Sequence, residues 1–329
     1  MRKEVINMIY PMKTSPVFKQ YIWGGNTLKT KFGKNVPDDF AAESWEISCH
    51  KDGLCTVAEG DYSGMLLRDV IASDPMSMTG KDEYTAFPLL VKILDATDRL
   101  SVQVHPDDAY AYEFENGEKG KTEMWYVIDA KPGAKLVYGL KEGTGKEQFR
   151  QAVESGNTEE VLNFVPVKKG DSFFIGSGTI HAIGAGLLIA EIQQSSNTTY
   201  RVYDYNRTDK NGNKRELHIE KAIAVTDIDA GEAQNRIGAE VDINGGKMRN
   251  LADCEFFRVE KYDLTSDTSL TNNHGGFEML VFTEGSGSID YAGSSWSFKN
   301  GDSFFVPAAI GKYTVSGGCT FLRSYIPQN

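Results

Sequence analysis

A five-residue segment that occurs twice constrains the fold of this chain more than any other feature of its sequence. Residues 170–174 are Gly-Asp-Ser-Phe-Phe, residues 301–305 repeat them, and an apolar β-branched residue follows each copy. Upstream, residues 122–136 loosely parallel residues 277–289, since each segment is predicted to form a strand, a turn and a second strand. Gly-Asp-Ser alone is a common turn, but five identical residues in equivalent contexts indicate two copies of one β unit. The sequence therefore predicts two similar barrels.

Short alternating apolar segments, broken by Gly, Asp and Asn, dominate the rest of the chain. The chain contains 33 glycines, 17 phenylalanines and 15 tyrosines, a bias that favours strands and tight turns over long helices. Closely spaced short strands are typical of an antiparallel barrel or sandwich, so we expect a mainly β protein. The clearest strand predictions are residues 87–94, 100–104, 123–128, 172–175, 187–192 and 199–203.

A few short helices are predicted as decorations on the β scaffold. Residues 63–73 are moderately periodic, and residues 107–115 follow Pro106 and have an acidic first turn, which is a helix-start signal. Residues 146–164 carry apolar side chains at helical spacing around Gly156, so we predict two short helices there. Residues 227–247 are rich in Gly, Asp and Asn, have little periodicity and form the predicted linker.

The net charge of −11 argues against partners with anionic surfaces. An acidic protein repels nucleic acid and anionic lipid, and no stretch approaches transmembrane length, so we expect neither partner. The four cysteines are scattered without a Cys-x-x-Cys pair, which predicts reduced, mostly buried thiols in a cytoplasmic protein. We expect a monomer or a weak homo-oligomer.

Four polar residues on predicted strands have the residue types and spacing of a metal site. Gln103 and His105 share one face of an alternating strand, and Glu123 begins another strand. His181 follows a Gly-rich turn after the first copy of the repeat, where the second copy is aligned with Lys312. Each residue alone is more often an ordinary polar residue, but two of only five histidines fall at these positions. One amide oxygen, two imidazoles and one carboxylate suit Zn²⁺ or another divalent transition ion.

The spacing Gly-x5-Gly-x-Gly-x2-His over residues 170–181 resembles the second cupin motif, with Gly176 where cupins usually have Pro. Most of residues 10–210 is similar to the type I mannose-6-phosphate isomerases in their short bacterial form. The similarity is most specific at residues 101–108, Ser-Val-Gln-Val-His-Pro-Asp-Asp. Further matching segments are residues 21–25, 43–48, 87–96, 120–130, 178–182 and 190–207.

This resemblance implies a bicupin, that is, two double-stranded β-helix (cupin or jelly-roll) barrels. Residues 1–235 would form the catalytic N-terminal cupin domain with its small helices, and residues 236–329 a degenerate C-terminal cupin domain without metal. The large helical insertion of the longer family members is absent between Glu123 and His181. The family's zinc ligands match Gln103, His105, Glu123 and His181, and its active-site residues match Arg201, Lys121, Ser101, Lys92 and Trp23.

The implied reaction interconverts mannose 6-phosphate and fructose 6-phosphate by moving a proton between C1 and C2 through an enediol. Glu191, Lys121 and His50 all remain candidates for the general base, and the sequence does not choose among them. Glu191 lies in an otherwise apolar predicted strand, where an ordinary surface carboxylate is not expected. The phosphate needs cations, and the predicted phosphate side consists of Lys92, Ser101 and Arg207. Trp23 is predicted to wall the cleft, and His50 is a further predicted substrate-binding residue.

The sequence leaves other functions open. A non-catalytic bicupin that binds a sugar or regulates another protein would have no need of Lys121 and Arg201 beside a metal. A cupin dioxygenase usually holds iron with two histidines and one carboxylate, so the extra Gln103 argues against it. A sugar epimerase with a cupin barrel would not need the metal at all.

Overall fold

The computed structural model describes residues 8–83, 85–208, 211–230 and 238–328. Strands dominate these residues, and the helices are short, as the sequence predicts. The helices are α1 (Thr27–Thr30), α2 (Leu67–Ser73), α3 (Pro75–Thr79), α4 (Asp108–Phe114), α5 (Lys146–Glu154) and α6 (Ile219–Val225), with 3₁₀ turns at Pro37–Asp39 and Thr158–Glu160.

The strands fall into a long N-terminal set and a shorter C-terminal set. The first set is β1 (Met12–Ser15), β2 (Val17–Lys19), β3 (Glu43–Ile47), β4 (Cys49–His50), β5 (Gly53–Leu54), β6 (Thr56–Val57), β7 (Leu89–Ala96), β8 (Val102–Val104), β9 (Glu123–Ala130), β10 (Lys135–Leu140), β11 (Leu162–Pro166), β12 (Ser172–Ile175), β13 (His181–Ile183), β14 (Leu187–Gln194) and β15 (Tyr200–Tyr203). The second set is β16 (Glu240–Ile243), β17 (Gly246–Asp253), β18 (Arg258–Leu264), β19 (Thr268–Thr271), β20 (Glu278–Tyr291), β21 (Ser294–Lys299), β22 (Ser303–Val306), β23 (Lys312–Ser316) and β24 (Cys319–Tyr325).

The N-terminal barrel consists of two antiparallel sheets that face each other. One sheet has the order β12-β9-β14-β7-β3-β2, and the other has the order β11-β10-β13-β8-β15. Inward-facing side chains of both sheets form one apolar cluster that includes Leu94, Trp125, Val127, Leu136, Ile183 and Ile189. Since side chains alternate along a strand, the same inward face can carry this core at one end and polar groups at the other.

Strands β7 and β14 are buried along their whole length. Their second face packs against the C-terminal half in a large shared cluster that includes Ile93, Ala190, Met279 and Phe305. Burial on both faces explains why these strands are nearly continuous apolar runs rather than alternating ones. Charged residues that remain in them therefore lie inside the protein and require partners.

Strands β16 to β24 build the C-terminal barrel, most of whose strands belong to one eleven-stranded sheet. This sheet also contains β1, which pairs with β22, and β6, which pairs with β1. Its interior is a separate aromatic cluster that includes Phe282, Phe298, Phe304, Tyr313 and Phe321. The N-terminal strand thus completes a sheet formed mainly by the opposite end of the chain.

The strand pairing gives the repeated segment the same place in both barrels. In the first barrel, Ile175 of β12 lies opposite Glu123 of β9. In the second barrel, Val306 of β22 lies opposite Glu278 of β20. Each is the residue that directly follows Gly-Asp-Ser-Phe-Phe, so Glu123 and Glu278 occupy equivalent positions. The predicted duplication of one β unit is confirmed.

Most predicted elements are present, and two predictions are wrong in part. Residues 162–164, expected at the end of a helical pair, belong to β11, because their apolar side chains pack against β10 and helix α5. Within the predicted linker, β16 and the start of β17 form a hairpin. The predicted domain boundary between residues 235 and 236 lies outside the described residues and stays a prediction.

The sequence also makes predictions about the cysteines and about membrane-spanning segments. The four cysteines all lie among the described residues and form no disulfide, and Cys55 and Cys319 are buried. No helix in the described part of the chain combines the length and the apolar character needed to cross a bilayer.

Candidate metal centre and cavity

Two neighbouring strands of the five-stranded sheet and one strand of the facing sheet bring the predicted ligands together. Gln103 in β8 lies opposite His181 in β13 on one side and opposite Arg201 in β15 on the other. His105 directly follows β8, and Glu123 comes from β9 of the facing sheet. The site is therefore formed between the two sheets, at the polar end of the barrel interior.

His105, Glu123 and His181 form a compact, fully buried group that could hold a metal ion. One ligand atom from each lies within 4.8 Å of the others. The Nε2 atom of His181 is 3.3 Å from Oε1 of Glu123, and Nε2 of His105 is 3.7 Å from Oε2. Among the described residues, no other group of three His, Cys, Asp or Glu has this property.

Backbone carbonyls fix both imidazoles in the tautomer that a metal requires. The Nδ1 atoms of His105 and His181 lie 2.9 Å from the carbonyl oxygens of Thr198 and Thr179, so each Nδ1–H donates to the backbone. The lone pair of each Nε2 is then directed towards Glu123. Burial lowers the pKa of His181 to about 4, and burial together with Lys121 lowers the pKa of His105 well below its usual value. Both rings are neutral at physiological pH.

Two buried acceptor atoms of this group have no donor between them. Glu123 Oε1 and His181 Nε2 lack a hydrogen-bond partner among the described residues, although both are shielded from solvent. Burial, and then the nearby Glu191 carboxylate, raises the pKa of Glu123 to about 7. Unpaired buried acceptors are costly, and a cation between them would remove that cost. The donor set therefore fits a divalent ion bound by nitrogen and oxygen.

Lys121 places a positive charge against this group from the side. Its Nζ is 2.8 Å from Oε2 of Glu123 and 3.2 Å from Nε2 of His105. The side chain is buried, so this charge interacts with Glu123 in a medium that screens it weakly. These contacts place one positive charge beside both His105 and Glu123.

A cavity of about 280 Å³ opens beside this group, near the lower end of the size range of small-molecule sites. Of the predicted site residues, it is lined by Trp23, Lys92, Ser101, Gln103, Lys121, Glu191 and Arg201. The buried triad lies directly behind Gln103 and Lys121, since Lys121 contacts two of its members. The structure thus brings most of the predicted site residues to one cavity.

Glu191 and Lys92 are a buried ion pair in the wall of this cavity. They lie opposite each other on β14 and β7, with Nζ 3.1 Å from Oε1. The other oxygen of Glu191 accepts a hydrogen bond of 3.0 Å from the indole N–H of Trp125. Burial would raise the pKa of Glu191, but Lys92 and Lys121 lower it to about 2, so the carboxylate is ionised. Lys92 also lies 3.8 Å from Glu43 and is thus close to two carboxylates.

Arg201 reaches the cavity from β15 and has a different set of partners. Its Nε donates to the hydroxyl of Ser101, and its Nη1 donates to the backbone carbonyl of Glu216. Within the described part of the chain, no carboxylate lies within ion-pair distance of its guanidinium. Burial, and then the charge of Arg215, lowers the pKa of Arg201. A half-buried cation without a carboxylate is suited to binding an anionic ligand.

Two predicted site residues lie away from the cavity lining. His50 is buried in the β4–β5 hairpin, where its Nδ1 accepts the backbone N–H of Asp52. Arg207 donates to Asp204 and Asp98 and lies over the ring of Tyr205. Their roles in substrate binding stay predictions, and the structure places neither at the cavity surface.

Sequence reasoning missed several residues that line the cavity. Glu43 and Arg215 are the charged ones, and Tyr21, Asn197 and Thr199 are further polar ones. Glu43 lies in residues 43–48, which match the family, so that match was a usable signal for it. Arg215 follows a Gly- and Asn-containing stretch without periodicity, and its only sequence signal is its positive charge.

The equivalent position in the second barrel is occupied by different residues. The alignment of His181 with Lys312 is wrong by one residue, because Lys312 is exposed on the outer face of β23. Tyr313 faces the interior instead, and its hydroxyl donates to Glu278, the equivalent of Glu123. A shift of one residue moves a side chain to the opposite face of a strand. A phenol therefore stands where the first barrel has an imidazole.

Comparison with known proteins gives a consistent result over nearly the whole chain. Residues 12–136 match the family model of phosphomannose isomerase type I, catalytic domain, and residues 247–326 match that of mannose-6-phosphate isomerase, cupin domain. The chain is 40% identical over 318 residues to the mannose-6-phosphate isomerase of Streptococcus mutans, covering 97% of this chain and 99% of that protein. It is 39% identical to mannose-6-phosphate isomerase ManA of Bacillus subtilis, covering 96% and 99% of the two chains.

Solved structures agree with these sequence matches. The crystal structure of a mannose 6-phosphate isomerase from Bacillus subtilis superposes with a TM-score of 0.91 at 38% identity, covering 96% of this chain and 99% of that one. Phosphomannose isomerase from Salmonella typhimurium, represented by one of its variants, shares the fold with a TM-score of 0.80 at 17% identity, covering 97% and 100%. The predicted bicupin fold is confirmed.

Proposed function

The chain belongs to the type I mannose-6-phosphate isomerase family, and on this premise we propose that it interconverts mannose 6-phosphate and fructose 6-phosphate in a metal-dependent reaction. One observation carries the proposal: the buried His105–Glu123–His181 group lies beside a cavity that Arg201 enters without a carboxylate partner. A non-catalytic sugar-binding protein would not require these cationic groups next to a metal site.

We propose that His105, Glu123 and His181 hold one divalent ion, with Gln103 as the fourth ligand. Gln103 lies opposite His181 and lines the cavity, so its amide oxygen can be directed to the same point. Two imidazoles, a carboxylate and an amide oxygen suit Zn²⁺. The chemistry that such an ion supplies when bound is polarisation of the substrate carbonyl and stabilisation of an enediolate.

The proton transfer and the stabilisation of the enediolate are assigned to side chains of the chain itself. Glu191 is ionised and lines the cavity, so we assign it as the group that removes and returns the proton between C1 and C2. Of its two rivals, His50 is absent from the lining, and Lys121 is engaged with Glu123 and His105. Lys121 is therefore assigned to holding the metal ligands and adding positive charge near the developing enediolate.

The predicted binding residues are assigned by their place in the cavity. Trp23 forms part of its wall, and the Ser101 hydroxyl accepts from Arg201, which orients the guanidinium. Lys92 is paired with Glu191 and Glu43, so its main proposed role is to keep Glu191 ionised. A sugar phosphate is the expected partner, and cytoplasmic localisation and a monomeric or weakly oligomeric state remain part of the proposal.

Removal of the metal tests the proposal directly. The purified chain should convert mannose 6-phosphate in a coupled isomerase assay, should lose this activity after dialysis against a chelator, and should recover it when Zn²⁺ is restored. The reason is that Glu123 and His181 cannot substitute for the charge that the ion supplies. Turnover that is indifferent to chelation, or no turnover at all, would contradict the proposal.

Replacement of Glu191 separates acid–base chemistry from metal binding. Glu191→Gln keeps an acceptor for the Trp125 indole but cannot take up a proton, so kcat should fall roughly 100-fold or more. Metal content, measured by elemental analysis, should stay at one ion per chain. A matched control is Glu154→Gln, which changes an exposed carboxylate of helix α5 and should leave both quantities unchanged. Full activity of Glu191→Gln would move the base assignment to Lys121.

A further inference from the structure

The charges around the cavity are unbalanced, and the excess lies at one place. Four basic and two acidic side chains line it, although the chain as a whole carries a net charge of −11. The two inner lysines are compensated, since Lys92 pairs with Glu191 and Lys121 pairs with Glu123. The remaining positive charge is therefore located at Arg201 and Arg215, since the carboxylate that Arg215 contacts, Asp204, is shared with Arg207.

These two guanidiniums face the same space and repel each other. Both line the cavity, and the charge of Arg215 contributes to the lowered pKa of Arg201. Keeping two like charges close together costs free energy unless an anion lies between them. Among the described residues, the guanidinium of Arg201 donates only to the neutral Ser101 hydroxyl and the Glu216 carbonyl, so no carboxylate pairs with it there.

Asp204 holds Arg215 in place and leaves part of its guanidinium available. The Nε and Nη2 groups of Arg215 donate to the two oxygens of Asp204, which is itself buried. These contacts use two of the five N–H donors of a guanidinium, and no other partner of Arg215 is found in the part of the chain that the structure describes. Asp204 also accepts from Arg207, so one carboxylate serves two cations. The Arg215 side chain is 27% exposed, enough to meet a ligand.

We propose that Arg215 is a substrate-binding residue that contacts the phosphate of the sugar together with Arg201, and that Asp204 is its positioning residue. This inference rests on the proposed function. A phosphate dianion would balance the excess charge of the two arginines, and planar guanidiniums bind phosphate through paired hydrogen bonds. The phosphate would then lie at the arginine side of the cavity, and the reacting carbons would extend towards Glu191 and the metal ligands.

Arg207 is the alternative cation for this role, and it differs from Arg215 in one observable way. Both donate to Asp204, but Arg207 also contacts Asp98 and is absent from the cavity lining. Loss of either arginine removes one partner of Asp204, so the two variants carry a similar structural perturbation. Only loss of Arg215 changes the surface that the substrate meets.

The test compares Arg215→Gln, Arg207→Gln and the wild type in steady-state kinetics with mannose 6-phosphate, with inorganic phosphate as a competitive inhibitor. For Arg215→Gln we expect the KM and the inhibition constant of phosphate to rise together, roughly 10- to 100-fold, since each reports a charged hydrogen bond to the phosphate. The kcat should change less than about threefold. Arg68→Gln, which removes an exposed arginine of helix α2, is the charge control and should match the wild type. Circular dichroism checks the fold of each variant.

Each outcome has a defined meaning. A rise in KM and in the phosphate inhibition constant for Arg207→Gln, with Arg215→Gln unchanged, would overturn the proposal and place the phosphate at Arg207. A loss of kcat alone in Arg215→Gln would also overturn it. If the wild type fails to turn over mannose 6-phosphate, the proposed function fails instead. Calorimetric titration with inorganic phosphate then decides separately whether Arg215 binds the anion.

Discussion

A His181→Ala protein is expected to lose its bound metal and on the order of 10⁴-fold in kcat/KM, because both the ion and its charge at the reacting oxygens disappear. His181 provides a neutral Nε2 that no other described group satisfies, 3.3 Å from Glu123. Without this ring, Glu123 and His105 retain only two of the three converging ligand atoms. Metal content by elemental analysis and the coupled isomerase assay measure the two losses on the same sample.

The matched control for this variant is His274→Gln in the second barrel. His274 also contacts a buried glutamate, since its Nε2 lies 2.9 Å from Glu278, but it is remote from the cavity. It should therefore keep one metal ion and wild-type activity. If His181→Ala bound the ion with unchanged stoichiometry, the ligand assignment would be wrong. If it stayed active without metal, the reaction would not need the ion.

The metal ligands were predictable because their arrangement is largely local. Gln103 and His105 are two residues apart, and strand alternation alone places them on one face. His181 could be located because it follows a repeated segment whose second copy provides a reference. In contrast, no sequence pattern indicates that the carbonyls of Thr179 and Thr198 accept from the two imidazoles. These hydrogen bonds distinguish a metal site from an ordinary polar cluster.

The roles of charged residues were harder to predict because they depend on partners that are distant in sequence. Lys92 was expected on the phosphate side, yet its nearest charged neighbour is Glu191, which lies opposite it only after β7 and β14 pair. Arg215 lies in a stretch without periodicity, so nothing placed its side chain until the fold brought it to the cavity. The structure is needed to identify the unpaired cations, because the ion pairs join residues that are distant in sequence.

Two wrong predictions came from local sequence patterns that the tertiary structure overrides. Aligning His181 with Lys312 used the distance from the Gly-Asp-Ser-Phe-Phe segment. Each residue does begin the next strand after five intervening residues, but His181 is buried at that position and Lys312 faces outward. An error of one residue exchanges an exposed lysine for a buried tyrosine. Residues 162–164 were likewise assigned to a helix because a short apolar run has no periodicity that separates helix from strand. These residues form a strand because they pair and pack with β10.

The position equivalent to Glu191 in the second barrel is occupied by a buried arginine. Arg323 lies opposite Leu280, as Glu191 lies opposite Trp125 in the first barrel. Its guanidinium contacts Glu278, lies 3.5 Å from Glu260 and donates to the carbonyl of Thr271. Burial would raise the pKa of Glu278, but His274 and Arg323 lower it, so the carboxylate is ionised. We infer that the second barrel balances its interior carboxylates with this side chain.

Arg323→Met is therefore expected to destabilise the protein by roughly 3–5 kcal/mol at neutral pH, since it leaves Glu278 and Glu260 buried without their cation. Methionine fills much of the space, so the loss reports charge more than a cavity. A double variant, Arg323→Met with Glu278→Met, should recover part of the loss because it removes one of the uncompensated carboxylates. Urea unfolding, followed by intrinsic fluorescence, gives the free energies of unfolding.

The pH dependence of the difference in unfolding free energy between the wild type and Arg323→Met distinguishes an effect of charge from an effect of packing. In the wild type the pKa of Glu278 is lowered, so its contribution to stability is present at neutral pH and is lost as the pH falls through that pKa. In Arg323→Met the Glu278 carboxylate lacks its cation and takes up a proton more readily. Lowering the pH therefore reduces the destabilisation of this variant. The difference in unfolding free energy should therefore narrow at mildly acidic pH. Arg249→Met, an exposed arginine of β17, should stay within about 0.5 kcal/mol of the wild type. A loss for Arg323→Met that is independent of pH, and that the double variant does not reduce, would assign this arginine a packing role instead.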